Sequence, residues 1–300
     1  MFIVKNKKIF VIASLVLVVA SIVLVSVFGL KVGIDFKGGA LTEVVYDTVR
    51  PEQETLNQNL ESLDLGSVLI QPTGEMGYIV KTRDLTDAEH GALLKSLSLD
   101  GANTLKEINF NSIGPSVGRE LTRKAIIAVI LVSLAIIFFI AYAFRKVSRP
   151  ISSWKYGLIA IVTLLHDVII PVGLFALLSH YFGAELDTLF VVAVLTILGL
   201  SVSDTIVIFD RIRENLSKEA KIDKANFSQI IGDSLSQSFA RSISTSLTVI
   251  LALLALVFFG PDTTKYFAIM LTAGMFFGTY SSIFLASPIL VMIYEHQTKK

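Results

Sequence analysis

Six long apolar runs constrain this chain more than any other feature. They lie near Ile9–Leu30, Ala125–Phe144, Tyr156–Leu178, Leu189–Phe209, Ile243–Phe259 and Phe267–Ile289. A helix crosses about 30 Å of hydrocarbon with roughly 17–25 such residues. Composition agrees: 53% of the residues are apolar and 17% charged. A water-soluble core of that content would leave large apolar patches exposed, whereas a lipid-facing surface removes the difficulty. The expectation is a membrane-embedded, all-α six-helix bundle. The first run is too long for the apolar region of a signal peptide, and no clear small-residue cleavage site follows, so it reads as an uncleaved span. The formal net charge is +1, which gives no reason to expect nucleic acid as a partner.

Placement of the basic residues orients the bundle. One side carries Lys5, Lys7 and Lys8, then Arg145, Lys146, Arg149 and Lys155. It also carries Arg211, Arg213, Lys218, Lys221 and Lys224, and finally Lys299 and Lys300. The short connections on the other side hold only Lys265. The excess of Lys and Arg marks the cytoplasmic face, so both termini are expected there.

The large hydrophilic segment, residues 31–122, separates the first span (residues 1–30) from the other five (residues 123–300) and falls outside the cytoplasm. It reads as a small α+β domain. Leu41–Tyr46, Val68–Gln71, Tyr78–Lys81 and Thr104–Phe110 are β-prone, with a turn expected at Pro72-Thr73-Gly74. Pro51–Leu63 has helical spacing of leucines after a proline start. Thr86–Leu97 opens with Thr86 and Glu89 at the spacing of a capping box. The order β-α-β-β-α-β is that of a ferredoxin-like domain. On the cytoplasmic side, residues 210–241 form a loop in which Phe227, Ile230, Ile231, Leu235 and Phe239 recur at helical spacing. This suggests a separate helix lying on the membrane interface.

Ionisable groups inside spans are functional candidates, because exposing them to lipid costs several kcal/mol. Asp167 lies near the middle of span three beside His166, Asp204 in the inward half of span four, and Arg241 at the cytoplasmic entrance of span five. Ser234, Ser238, Arg241, Thr245 and Thr248 share one helical stripe, expected to face the interior and to let Arg241 approach Asp204. Desolvation and a nearby arginine act oppositely on a carboxyl, so changing their separation would switch its protonation. A static ion pair that fixes helix packing is the competing reading. His166-Asp167 suggests a second proton site or an interhelical hydrogen bond rather than a metal fragment, since adjacent helical residues diverge by about 100° and no third ligand accompanies them. Asp210-Arg211 and Arg213-Glu214 read as interfacial anchors. Gly274 and Gly278 form a small-xxx-small contact pattern.

Chemistry is also excluded. The absence of cysteine rules out disulfides, thiolate metal sites and cysteine nucleophiles. There is no phosphate-cradling lysine loop, zinc-protease helix or serine elbow, and Gly33, Gly38 and Gly39 do not sit in a dinucleotide loop. Neither an enzyme activity nor a bound cofactor is expected.

Several motifs resemble the SecD/SecF family. Gly33-Ile34-Asp35-Phe36-Lys37-Gly38-Gly39 is similar to its GIDFxGG signature, and Ser112-Ile113-Gly114-Pro115-Ser116-Val117-Gly118 through Leu121 to its VGPxVGxEL. His166-Asp167 resembles the HD of its third span. Ser201 through Asn215 resembles SxNDTVVVFDRIREN, with Ser203 where asparagine is common, and Arg241–Ser246 resembles RTxxTS, with Ser242 in place of threonine. The short external segment is similar to that of the smaller of the family's two subunits. The resemblance implies an RND-type bundle in the bacterial inner membrane. It also implies assistance to polypeptide translocation driven by the proton motive force, with protons as the only coupling ion. The implied partners are the larger subunit SecD, the SecYEG channel, YajC, YidC, unfolded polypeptide and membrane lipid. Asp204 and Arg241 correspond to charged residues implicated in proton passage. An RND-type exporter of small molecules or lipids shares the same bundle physics and is the alternative. A purely structural subunit that stabilises SecD is a third reading.

Overall fold

The computed structural model describes residues 2–143, 151–219 and 223–298. Arg145, Lys146, Arg149, Lys221, Lys299 and Lys300, which entered the charge argument, lie outside the described residues. Two compact units are present, and one of them comprises Val32–Ile127 together with Glu185–Thr188. The sequence places only residues 31–122 in that unit. The added Glu185–Thr188 belongs to the connection between spans three and four, which no local pattern assigns to a distant sheet.

In chain order the elements begin with α1 (Phe2–Lys5), α2 (Lys7–Phe28), α3 (Ile34–Lys37), β1 (Gly39–Tyr46), α4 (Gln53–Glu61), β2 (Leu69–Thr73), β3 (Gly77–Thr82), α5 (Asp87–Leu97) and β4 (Leu105–Ile113). They continue with α6 (Pro115–Ala143), α7 (Ser153–Phe182), α8 (Thr188–Lys218), α9 (Lys224–Phe259), α10 (Asp262–Ser281), a π-helical turn (Ser282–Ala286) and α11 (Ser287–Gln297).

The sheet unit has strand order β2-β3-β1-β4, antiparallel throughout. Strand alternation sends Val44, Tyr46, Ile70, Tyr78 and Val80 inward, where Leu56 and Leu60 of α4 and Leu93 and Leu97 of α5 cover them. Burial pushes the Tyr46 hydroxyl up to about 12, and that hydroxyl donates to the Leu97 carbonyl at 2.9 Å. The capping box of α5 forms: the Glu89 amide donates to Thr86, and Glu89 accepts from the Thr86 amide. Glu89 is held at about 2, first by its bond with Arg83 and then by Thr86. The expected turn shifts. Pro72 and Thr73 remain in β2, and the turn falls at Gly74–Met76. β2 is an edge strand, so a residue without an amide hydrogen is tolerated there.

Among the described residues six helical segments are long and apolar enough to cross a membrane: Lys7–Phe28, Pro115–Ala143, Trp154–Phe182, Thr188–Lys218, Asn226–Phe259 and Asp262–Gln297. Their burial is uneven. About half of the apolar window is buried in the third, fourth and sixth (56%, 44% and 61%), against 11%, 6% and 11% in the first, second and fifth. The expected separate loop and interfacial helix over residues 210–241 are corrected. α8 runs on to Lys218, and α9 is continuous from Lys224 to Phe259, with Asp223 capping it through a 2.8 Å bond from the Asn226 amide. Phe227, Ile231 and Leu235 are buried here, and Phe227 stacks on Tyr294 with ring centroids 4.0 Å apart. The apolar spacing was therefore that of a packed helix, which periodicity alone does not distinguish from an interfacial one.

Candidate functional site

Asp167, on α7, is 0% exposed, and both of its carboxyl oxygens have side-chain partners. His166 Nδ1 lies 2.7 Å from Asp167 Oδ1, Ser281 Oγ donates to Oδ2 at 2.7 Å, and Ser201 Oγ donates to the same oxygen. One carboxyl thus joins α7, α8 and the end of α10. The sequence ranked this residue below Asp204, because its serine partners stand far away in the chain and no spacing reveals them. The neighbours His166 and Asp167 turn toward each other, and His166 stacks on Tyr280 with centroids 6.1 Å apart. His166 Nε2 is buried with no hydrogen-bond partner.

The helices approach closely enough for short serine bonds because Gly274 and Gly278 face α8. A Cβ at Gly274 would stand 2.3 Å from Ile197 Cγ1, and one at Gly278 would stand 3.4 Å from Ser201 Cβ. The small-xxx-small pattern therefore meets span four. Nearby, Thr205 Oγ1 and Ser282 Oγ are 2.9 Å apart, where the backbone passes into the π turn. Wide turns of this kind are frequent at functional positions in helices.

Asp204 lies one helical turn beyond Ser201 and is half-buried. Its Oδ2 is buried without a hydrogen bond, as is the hydroxyl of Ser242. Ser242 and Thr279 are its polar neighbours. The Thr279 hydroxyl is committed elsewhere, to Ser246 Oγ at 2.5 Å and the Met275 carbonyl at 2.9 Å. An apolar cleft of about 250 Å³, lined by Ile243, Ser246, Phe276, Thr279 and Ile283, opens beside this pair of hydroxyls.

Arg241 is not joined to Asp204. It is exposed on α9 and, among the described residues, forms no ion pair. The expected polar stripe splits after Ser238. Ser234, Ser238, Ser242 and Ser246 are buried, whereas Arg241, Thr245 and Thr248 are exposed. Both rows satisfy helical spacing, and tertiary packing chose the strict i, i+4 row. Thr245 and Thr248 donate to the carbonyls of Arg241 and Ser244 at 2.9 and 2.8 Å. That local bond lets a hydroxyl face apolar surroundings without an interior partner.

The segment Phe209–Asn215 divides between two tasks. Phe209 and Ile212 are fully buried, with Phe209 edge-on to Tyr156 at 5.3 Å. Asp210 pairs with Arg213 at 2.6 Å and Arg211 with Glu214 at 2.7 Å, on the exposed face. Such exposed pairs contribute little to stability. Asn215 closes the motif that begins at Ser201, and its partners are not legible in the sequence. It donates to Ser234 Oγ at 2.9 Å and Gln237 Oε1 at 3.1 Å, tying α8 to α9.

The two glycine motifs meet in the sheet unit. Gly38 has φ +86°, and a Cβ there would stand 3.0 Å from Pro115 Cα; Gly118 would meet the Phe36 carbonyl at 2.9 Å. These close approaches make a tight backbone joint, with Thr122 Oγ1 donating to the Gly118 carbonyl at 2.9 Å beside it. Gly33 and Asp35 contact Leu186 and Thr188.

The family model for the C-terminal part of protein-export membrane proteins SecD/SecF matches residues 94–296. The chain is 40% identical to the protein translocase subunit SecF of Thermobaculum terrenum, over 96% of this chain and 92% of that one. It is 34% identical to the protein translocase subunit SecDF of Bacillus subtilis, covering 98% of this chain and 38% of that protein. The crystal structure of SecDF from Thermus thermophilus, a translocon-associated membrane protein, superimposes with a TM-score of 0.81 at 29% identity, over 98% of this chain and 38% of that one. With its six apolar helices and the matched motifs, this chain is a multi-pass membrane protein of the SecD/SecF protein-export family.

Proposed function

We propose that this chain serves as the SecF subunit of a bacterial Sec translocase, associating with a SecD subunit and using the proton motive force to assist polypeptide passage through SecYEG. The end-to-end similarity to translocase subunits named SecF supports the subunit assignment. A transport role of this kind calls for no covalent catalysis. The SecDF relatives, in which the matched region is 38% of a longer chain, support the pairing with SecD. In this reading both termini face the cytoplasm of an inner membrane, and the external unit is a ferredoxin-like domain, a reading supported by its β-α-β-β-α-β order. YajC, YidC, unfolded polypeptide and lipid are the remaining partners of the reading.

The observation that carries the proton reading is the Asp204 oxygen, buried without a hydrogen bond beside an equally unpartnered Ser242 hydroxyl. Such groups are costly to leave unsatisfied, and a transient proton or water satisfies both. Asp167 forms the fixed point against which α8 is held at Ser201, and Asp204, one turn beyond Ser201 on α8, is the group free to exchange. A membrane potential supplies about 2.3 kcal/mol per charge per 100 mV, enough to bias such a helix. Arg241 acts from the outer face of α9, so its part requires rotation of α9 or a group supplied by SecD.

The test is proton flux in liposomes containing this protein with its SecD partner, wild type against Asp204→Asn. Flux lost in the variant while the complex still assembles supports the relay. Unchanged flux moves the path away from Asp204 and leaves this chain as a scaffold for SecD.

A further inference from the structure

The connection between α7 and α8 enters the sheet unit as Glu185–Thr188, and three different bonds hold it there. Val32 and Leu186 form a parallel bridge, and the Gly33 amide donates to the Leu186 carbonyl at 2.8 Å. The amide of Thr188, the first residue of α8, donates to Asp35 Oδ2 at 2.8 Å. Lys81 Nζ, from β3, meets Glu185 Oε1 at 2.8 Å, with the two side chains 16% and 21% exposed. A Cβ at Gly33 would stand 2.8 Å from the Leu186 carbonyl, so the bridge needs glycine there.

None of these groups serves the core of the sheet unit, which is built from Val44, Tyr46, Leu56, Leu60, Val80, Leu93 and their neighbours. Their bonds are spent on a segment that arrives from more than 60 residues further along the chain. The chemistry suits the task. The first amides of a helix lack intrahelical acceptors and carry the positive end of the helix dipole, so a carboxylate is favoured at that end. An ion pair mostly shielded from water, a backbone bridge and a charged cap each carry part of the hold, unlike a single exposed surface pair, which contributes little.

We propose that Asp35, Lys81 and Glu185 are positioning residues that latch the start of α8 to the sheet unit, so that the helix bearing Asp204 transmits its displacement to that unit. The latch stays closed throughout the working cycle. This rests on the translocase reading, in which motion of α8 drives export. Asp35 reaches the chemistry only through α8.

The experiment uses the full chain in complex with its SecD partner and compares potential-stimulated export into vesicles with proton flux. Lys81→Glu and Glu185→Lys each reduce stimulated export by about fivefold or more, the lower end of ordinary coupling between sites, while proton flux persists. The double exchange restores export. Asp35→Ala behaves like the single reversals, and Asp35→Asn, which keeps an acceptor oxygen, recovers part of the loss. Neighbouring strands sit about 4.8 Å apart, within reach of a disulfide, and the chain contains no other cysteine. A Val32→Cys/Leu186→Cys pair oxidised across the bridge therefore leaves export intact.

Single reversals that export like wild type, a double exchange without rescue, or an oxidised pair that halts export each overturn the latch. If a reversal prevents the complex from accumulating, Asp35→Asn and the thiol pair decide the matter, since both keep the contacts. Absence of proton flux in wild type would defeat the proton reading alone; rescue of export by charge exchange still judges the latch.

Discussion

Two carboxyl-bearing regions of the bundle, one helical turn apart, are built in opposite ways. Around Asp167 both carboxyl oxygens are bonded: His166, Ser201 and Ser281 converge on a side chain that is 0% exposed. Around Asp204 an oxygen and a serine hydroxyl are buried and left without bonds. Low dielectric strengthens satisfied polar contacts and penalises unsatisfied ones. The first region therefore fixes α7, α8 and α10 in one arrangement, and the second stays receptive. In the proposed proton reading a mobile charge needs both, because a displacement does work only against something that stays put.

The largest expected effect separates the two regions by stability. Asp167→Ala leaves the Ser201 and Ser281 hydroxyls and His166 Nδ1 without their interior partner and should cost about 2–5 kcal/mol, since each buried polar group left unsatisfied costs about 1–3 kcal/mol. Asp204→Asn should stay within about 1 kcal/mol of wild type. Thermal unfolding of the two variants in one detergent checks this, and equal destabilisation would break the comparison.

The helix contact that sets the Asp167 geometry comes next. Gly274→Ala forces a methyl against Ile197 and should destabilise by about 1–3 kcal/mol. A Cβ at Gly199, on α8, would meet nothing within 4 Å, so Gly199→Ala should be neutral or stabilise by up to about 1 kcal/mol. Opposite signs in denaturation midpoints are the expected outcome.

Hydroxyl deletions sharpen the contrast further. Ser281→Ala removes a made bond and should cost about 1 kcal/mol. Ser242→Ala removes a buried hydroxyl that has no hydrogen-bond partner and should be nearly neutral or stabilising. If Ser242→Ala proves the more damaging, the Asp204 region is not the open one.

The smallest effect is a solvated baseline in the sheet unit. Glu89 is held at about 2, against an ordinary value of 4.5, by Arg83 and Thr86. Its folded-state value is depressed, so its stabilisation is fully present above about 4.5 and is lost as pH falls toward about 2. A Glu89→Gln variant should show a flatter acid stability profile across that window, followed by circular dichroism.

Much of the sheet unit was legible because its signals are local. Alternating apolar residues, the leucine spacing of α4 and the Thr86–Glu89 capping pair each specify an element within a few residues. The sites inside the bundle were legible only as residue types. Asp167, Asp204 and Arg241 stand out because charge is rare in apolar helices, but their partners do not. Ser281 and Ser201 reach Asp167 from distant spans, and Asn215 reaches Ser234 from the neighbouring helix. The stripe on α9 shows the limit. Residues 238, 241 and 245 and residues 238, 242 and 246 are equally good helical rows, so periodicity could not say which faced inward.

By itself the sequence determined the six apolar helices, the order of elements in the inserted unit and the family to which the chain belongs. Hydrophobic length, residue alternation and motif spacing are properties of neighbouring residues. Only the tertiary structure decided that Asp167 is the bonded centre, that Arg241 stands apart from Asp204, and that Glu185–Thr188 is stitched to Asp35 and Lys81. Those outcomes depend on which faces meet when helices pack. That choice is made by close approach at residues such as Gly274 and by the need to satisfy buried polar groups.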